Sequence, residues 1–356
     1  MKLKSRWYAA LFLSIVIIVI LHSTISKVTD YTTTSALGTP VAPVNTTSLK
    51  IFNYVWSLNG TSQGILGQNF MENNGWLQNY ATVIEGFNIS YGKYPALATT
   101  EFYQDDQQST KVGTAKLITF FKAGGLVGVN WMFKNPFTGG GPWDTNQVDG
   151  KRLLPGGDLR TTWISALDEI AATLTTLQKN EVTVLWRPLQ EMNGDWFWWA
   201  KLSDADFQAI WHDMFLYFKD TKKLNNLLWV YCTVNGKHDY ISKYPGSNYV
   251  DFTGFNFYSD SYRWIDIPQY RKLVRLGKPI FVPEAGPDIK NTQPKDISNH
   301  INELQRRCPE VHLISFWHSW KDDQGNWLKI SMVDNFGIDK ILADSWTITR
   351  DKLPQF

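Results

Sequence analysis

Residues 186–199 read Trp-Arg-Pro-Leu-Gln-Glu-Met-Asn-Gly-Asp-Trp-Phe-Trp-Trp. Arg187, Glu191 and Asn193 thus share one short stretch with the rings of Trp196, Phe197, Trp198 and Trp199. Sugars offer apolar C–H faces that stack on indoles, and hydroxyls that need carboxylates and amides. A carboxylate set among rings at the end of a strand suits a carbohydrate site, so Glu191 is the first candidate for a catalytic acid. A second carboxylate, Glu284, follows another apolar run in Pro283-Glu284-Ala285-Gly286. Paired carboxylates serve glycoside hydrolysis. One stays protonated and donates to the leaving oxygen, while the other stays ionised and attacks or positions water. Their surroundings must push their pKa values apart. Arg187 and Tyr258 could hold Glu284 as the anion, and the rings after Glu191 could raise its pKa by desolvation.

The elements that must position these groups are legible as alternating patterns. Strand-like runs fall at 49–57, 96–103, 126–133, 182–189, 227–234, 250–258, 280–284 and 311–318. Most are continuously apolar, as expected of parallel strands covered on both faces. Helical patterns lie between them at 158–179, 204–223, 268–277 and 294–307. The clearest places Trp163, Leu167, Ile170, Leu174 and Leu177 at helical spacing. This alternation predicts an α/β protein with a (β/α)8 TIM barrel as its single catalytic domain. A doubly wound open sheet is the alternative, but no glycine-rich phosphate loop follows the first strand.

Barrel chemistry sits at the C-terminal ends of the strands. That rule gathers Trp131, Met132, Trp143, Arg187, Gln190, Glu191, Asn193, Tyr258, Glu284, Trp317 and His318 at one mouth. Trp317 and Trp196 are expected to serve as sugar platforms, with at least two of Trp143, Trp196, Trp198 and Trp199 lining the cleft. Asp144 and Asp260 read as loop caps. His318 is balanced between core and site.

Composition narrows the class. Hydrophobic residues make up 43%, charged residues 19%, and the net charge is +2, so no basic surface argues for nucleic acid. Aromatic content is 15%, with 17 Trp, which favours a stacking surface over an ordinary core. Cys232 and Cys308 form no metal motif, and an unpaired role is expected over a disulfide. The six His show no zinc-binding spacing, so no metal or organic cofactor is expected. Lys2, Lys4 and Arg6 precede an apolar run at 8–21. Residues 1–26 therefore read as a signal peptide, with an uncleaved membrane tether as the alternative. Residues 27–47 read as a Thr/Ser/Pro-rich linker, leaving 48–356 as the catalytic domain. The expectation is a monomer, secreted or tethered outside the cell, with a polysaccharide as its partner.

The chain resembles glycoside hydrolase family 26. The resemblance rests on WRPLQEMNGDWFWW at 186–199, YPGSNYVDFTGFNFY at 244–258, GKPIFVPEAG at 277–286 and NWMFKNPFTGGG at 130–141. Weaker agreement covers GKYPALATTEF at 92–102 and ISFWHSW at 314–320. The resemblance implies a (β/α)8 barrel of the retaining type. It makes Glu191 the general acid/base and Glu284 the nucleophile, with Tyr258 bonded to the nucleophile and Trp317 flooring the subsite at the cleaved bond. It implies endo-β-1,4-mannanase activity first, with mixed-linkage or β-1,4-glucanase and β-1,3-xylanase as alternatives. A transglycosylase or a non-catalytic polysaccharide-binding barrel are further alternatives. The chain departs from the family pattern at Gln190 and Met132, where the family usually carries His.

Overall fold

The computed structural model describes residues 38–356 other than 73, 74 and 76. The expected signal or anchor segment, its apolar run at 8–21 and linker residues 27–37 lie outside the described residues. Residues from Thr39 to Phe356 pack as one unit.

Among the described residues the first element is a helix, α1 (Thr46–Ser57), where the sequence reading placed a strand. Its buried residues Ser48, Ile51, Phe52 and Val55 recur at helical spacing, and the Asn45 side chain caps its start by accepting from Ser48 N. The β-branched Ile51 and Val55 made the segment look like a strand. The first strand lies later, at β1 (Gly64–Phe70). Glycines, Gln68 and Asn69 disguised it as a loop. Gly67 is needed there, because a Cβ would meet Ile314 O and Leu97 at 3.1 Å across the barrel wall.

The rest follows in order. Strand β2 (Leu97–Tyr103) comes after the short α2 (Gly86–Tyr91), then α3 (Gln107–Lys122) and β3 (Leu126–Met132). Next are α4 (Arg160–Lys179), β4 (Val184–Pro188), α5 (Asp204–Leu216), β5 (Leu227–Val234) and β6 (Phe252–Tyr258). The chain continues with α6 (Ile267–Val274), β7 (Ile280–Gly286), α7 (Asn299–Arg307) and β8 (Val311–Phe316). These eight strands are parallel neighbours in sequence order, and β1 pairs with β8, which closes the expected (β/α)8 barrel. A hairpin of β9 (Trp320–Lys321) and β10 (Trp327–Leu328) extends the last loop. After α8 (Ile338–Ala343), a short β11 (Thr347–Ile348) pairs with β1.

Two apolar layers hold the barrel rigid. Ile51, Phe52 and Val55 of α1 join Ile65, Leu97, Leu185, Leu228 and Leu313 in one cluster, so α1 plugs the barrel end opposite the strand C-termini. A larger cluster packs the outward faces of β3 and β4 against α4 and α5. The packed unit begins before residue 48. Val41 N donates to Asp251 Oδ1 at 2.8 Å and Asn45 N to Asn225 O at 2.8 Å, so these residues of the expected linker are fastened to the barrel.

Candidate active site

Strand alternation decides which side chains reach the mouth. Successive residues of a strand point to opposite faces. On β3, Met132 reaches the cleft, so Trp131 between it and Asn130 points outward. Trp131 stacks on Phe133 at 4.5 Å between ring centres and lines a separate groove between α3 and α4. Trp131 is therefore not a cleft residue, contrary to expectation.

The cleft encloses about 520 Å³. Its wall is built from the C-terminal ends of strands, such as Glu101 and Tyr103, and from loops that follow them, such as Leu77, Trp143, Trp196 and Trp320. Glu191 and Glu284 face this one space, together with Gln190, Tyr258, Trp317 and His318.

The two carboxylates sit in different electrostatic settings. Glu284 Oε1 accepts from Arg187 Nη1 at 2.6 Å, and its Oε2 accepts from Tyr258 OH at 2.8 Å. Glu191 Oε1 accepts from Asn256 Nδ2 at 2.8 Å, and its Oε2 from Trp196 Nε1 at 2.8 Å. Glu191 thus meets only neutral donors, while Glu284 meets a guanidinium. Burial first, then the Glu284 charge, push the Glu191 pKa up to about 7. Asn256 links the pair, since its Oδ1 accepts from Arg187 Nη1 at 3.2 Å. The hydrogen bonds run from Glu191 through Asn256 and Arg187 to Glu284.

Local backbone geometry aims both groups. Leu189 and Glu191 adopt left-handed φ values of 51° and 55°, uncommon for such residues. The turn is held by Glu191 N donating to Cys232 O at 2.8 Å. The β7–β8 register shifts between Val282 and Ala285, so a bulge brackets Glu284. Bulges beside active sites re-aim side chains.

Several expected ligands are instead supports. Arg187 is 4% exposed and spends its charge on Glu284, so it holds the carboxylate rather than sugar. Asn193 clamps the β4 and β5 loops together. Its Oδ1 accepts from Val234 N at 2.8 Å, and its Nδ2 donates to Val234 O at 2.9 Å and His238 O at 3.2 Å. Neither residue lines the cleft, where both were expected at the mouth. Trp198 and Trp199 are fully buried and pack on Phe133, so they brace the Glu191 loop from behind. Trp199 Nε1 also donates to Gln190 O at 2.8 Å.

Trp143, Trp196 and Trp317 do border the cleft. Trp143 is 55% exposed, beside Tyr103 and Phe197. Trp317 lies over Arg187, with the guanidinium 5.8 Å from its ring centre. His318 borders the cleft while its Nδ1 bonds Asn69 Oδ1 at 2.5 Å, and burial lowers its pKa to about 3. It is a neutral imidazole. Asp144 caps the glycine-rich loop by accepting from Thr138 and Asn146. Asp260 pairs with Lys295 at 3.0 Å.

At the departure from the family pattern, Gln190 Nε2 donates to Met132 Sδ at 3.0 Å, which leaves Gln190 Oε1 without a partner. Two cleft groups escaped the sequence reading, Glu101 and Tyr103. The signal was present for Glu101, which shares parity with Thr99 in an otherwise apolar strand. Among the described residues, no group of three or more His, Cys, Asp or Glu is arranged to hold a metal ion. Both cysteines are free and buried.

The model of glycosyl hydrolase family 26 matches residues 41–352. The chain belongs to glycosyl hydrolase family 26. A mannan endo-1,4-beta-mannosidase A and B from Caldalkalibacillus mannanilyticus is 33% identical over 288 residues, covering 74% of this chain and 53% of that protein. A mannan endo-1,4-beta-mannosidase from Bacillus subtilis is 31% identical over 251 residues, covering 67% of this chain and 66% of that protein. The chain thus spans between half and two thirds of these relatives. The structure of a Bacillus subtilis mannanase superposes with a TM-score of 0.76 at 24% identity, covering 88% of this chain and 96% of that one, and so shares the fold.

Proposed function

We propose that this family 26 member is a retaining endo-β-glycanase, acting first on β-1,4-mannan. One observation carries the reading: two carboxylates share a cleft, one among neutral donors and one on a buried guanidinium. In the first step Glu191, protonated below about pH 7, donates to the glycosidic oxygen while Glu284 attacks the anomeric carbon. The bond to the leaving sugar breaks, and a glycosyl ester forms on Glu284. In the second step Glu191, now the carboxylate, takes a proton from water, which attacks the same carbon and frees Glu284. Two inversions retain the β configuration. No step calls on a metal or an organic cofactor. Trp143, Trp196 and Trp317 offer faces on which successive sugars stack.

The mannan assignment draws on relatives that carry mannosidase names. Gln190 and Met132 favour a second reading, a glucanase, because the imidazoles that the family carries there are absent. Reducing-sugar release from mannan, lichenan, carboxymethyl cellulose and β-1,3-xylan tests both. Mannan as the best substrate supports the first reading, and lichenan or cellulose as the best supports the second. No release from any polymer would reject the hydrolase. The apolar run at 8–21 supports secretion or surface tethering, which cell fractionation would check.

A further inference from the structure

Glu101 is the one cleft carboxylate that the reaction does not use. It sits on β2 in register with Asn130 of β3, which is in register with Arg187 of β4. Its side chain therefore shares the ring of inward positions that carries the Arg187–Glu284 pair. It lines the cleft with Met132, Gln190 and Glu284. It is 8% exposed. Yet among the described residues its carboxyl makes no hydrogen bond within ordinary distance and no ion pair. Arg187 is already committed to Glu284 at 2.6 Å.

Such a group is costly unless something pairs with it. Burying a polar group without a partner costs on the order of 1–3 kcal/mol, and a charged one more. Unsatisfied buried groups at functional sites are commonly completed by a ligand. Gln190, on the same cleft wall, donates its Nε2 to Met132, and its buried Oε1 has no partner among the described residues. The Asn130 amide, in register with Glu101 on the next strand, makes no hydrogen bond at ordinary distance either, so polar groups on this wall lack protein partners.

We propose that Glu101 binds sugar: its carboxyl holds hydroxyls of the residue seated against Glu284. This rests on the glycanase reading above and adds a substrate contact to that site. A sugar hydroxyl both donates and accepts. It can therefore bond a carboxyl in either protonation state. Burial first, then the Glu284 charge, raise Glu101 to about 8, so near neutral pH its carboxyl is a donor as well as an acceptor.

The test compares wild type, Glu101→Ala and Glu101→Gln on mannohexaose and cellohexaose, by turnover and by titration calorimetry, with thermal melting alongside. The proposal expects Glu101→Ala to weaken binding of the preferred hexasaccharide and raise KM by about ten- to a hundredfold. Melting should stay within a few degrees, because Glu101 makes no ion pair and no hydrogen bond at ordinary distance among the described residues. Glu101→Gln keeps a donor and an acceptor and should recover most of the lost affinity. If wild type hydrolyses a hexasaccharide and Glu101→Ala has an unchanged KM, the proposal fails while the glycanase reading stands. A large drop in melting temperature in both variants with unchanged KM would make Glu101 structural and also overturn it. If wild type neither binds nor cleaves either sugar, both readings fall together.

Discussion

Trp196→Phe should shift this enzyme's activity to higher pH. The indole Nε1 donates to Glu191 Oε2 at 2.8 Å, while Asn256 serves the other oxygen. Both bonds favour the ionised form and oppose the burial and Glu284 charge that raise Glu191 to about 7. Phenylalanine keeps a ring against the cleft but donates nothing. A hydrogen bond to a charged group contributes about 1.5–3 kcal/mol. One pKa unit corresponds to about 1.4 kcal/mol. Removing one of the two donors should therefore raise the Glu191 pKa by about one unit, and by roughly two at most. The acid works protonated, so activity is lost as pH rises through its pKa. The basic limb of kcat/KM on a soluble polysaccharide reports that group in the free enzyme. It should fall near pH 7 in wild type and about one unit higher in the variant. A basic limb that stays put or moves down would refute the assignment of Glu191 as the acid tuned by Trp196.

Other perturbations follow from the same contacts. Glu191→Ala should slow polysaccharide cleavage by about 10²–10⁴-fold but aryl glycosides with good leaving groups far less, since these need little protonation; equal losses would mean that the roles are swapped. Arg187→Ala leaves Glu284 buried without its cation and should cost about 3–5 kcal/mol of stability as well as activity, read by urea denaturation; a stable but inactive variant would show that Arg187 acts on substrate instead. Trp143→Ala should raise KM on long chains and leave short oligosaccharides little changed, because its ring lies at the exposed rim; equal effects on both would place it at the cleaved bond. Glu101 and Glu191 both hold protons above the ordinary carboxylate range, so the folded state binds them more tightly than the unfolded chain. Their stabilising contribution is present at low pH and lost as pH rises through about 7 and 8, so melting temperature should fall across that window; a rise there would contradict the raised values.

The barrel was legible because parallel strands covered on both faces must be apolar throughout, as in residues 227–234 and 311–316. Strand β1 was not, since Gly64, Gly67, Gln68 and Asn69 carry little apolar signal while serving close approach and internal hydrogen bonds. Helix α1 was misread because Ile51 and Val55 favour strands, although the spacing of Ser48, Phe52 and Val55 already marked a helical face. The carboxylates were legible because each ends an apolar strand. The rings were only half legible. Trp196 and Trp143 border the cleft, whereas Trp198, Trp199 and Trp131 are core, and ring count cannot separate a platform from a brace. Strand parity could have excluded Trp131, since it alternates with the inward Met132. The supports Arg187 and Asn193 show the same limit: residue type announces a polar contact, and only geometry says whether protein or sugar makes it.

The central claim is that Glu284 carries a covalent glycosyl ester. A 2-deoxy-2-fluoro β-glycoside of the preferred sugar, with a good leaving group, slows ester breakdown enough to trap it. Mass spectrometry of the digested protein should then find a single adduct on the peptide containing Glu284, and none in Glu284→Ala. Proton NMR of the native reaction should show the β-anomer released first. An adduct on Glu191, or no adduct together with α-anomer as the first product, would contradict the account.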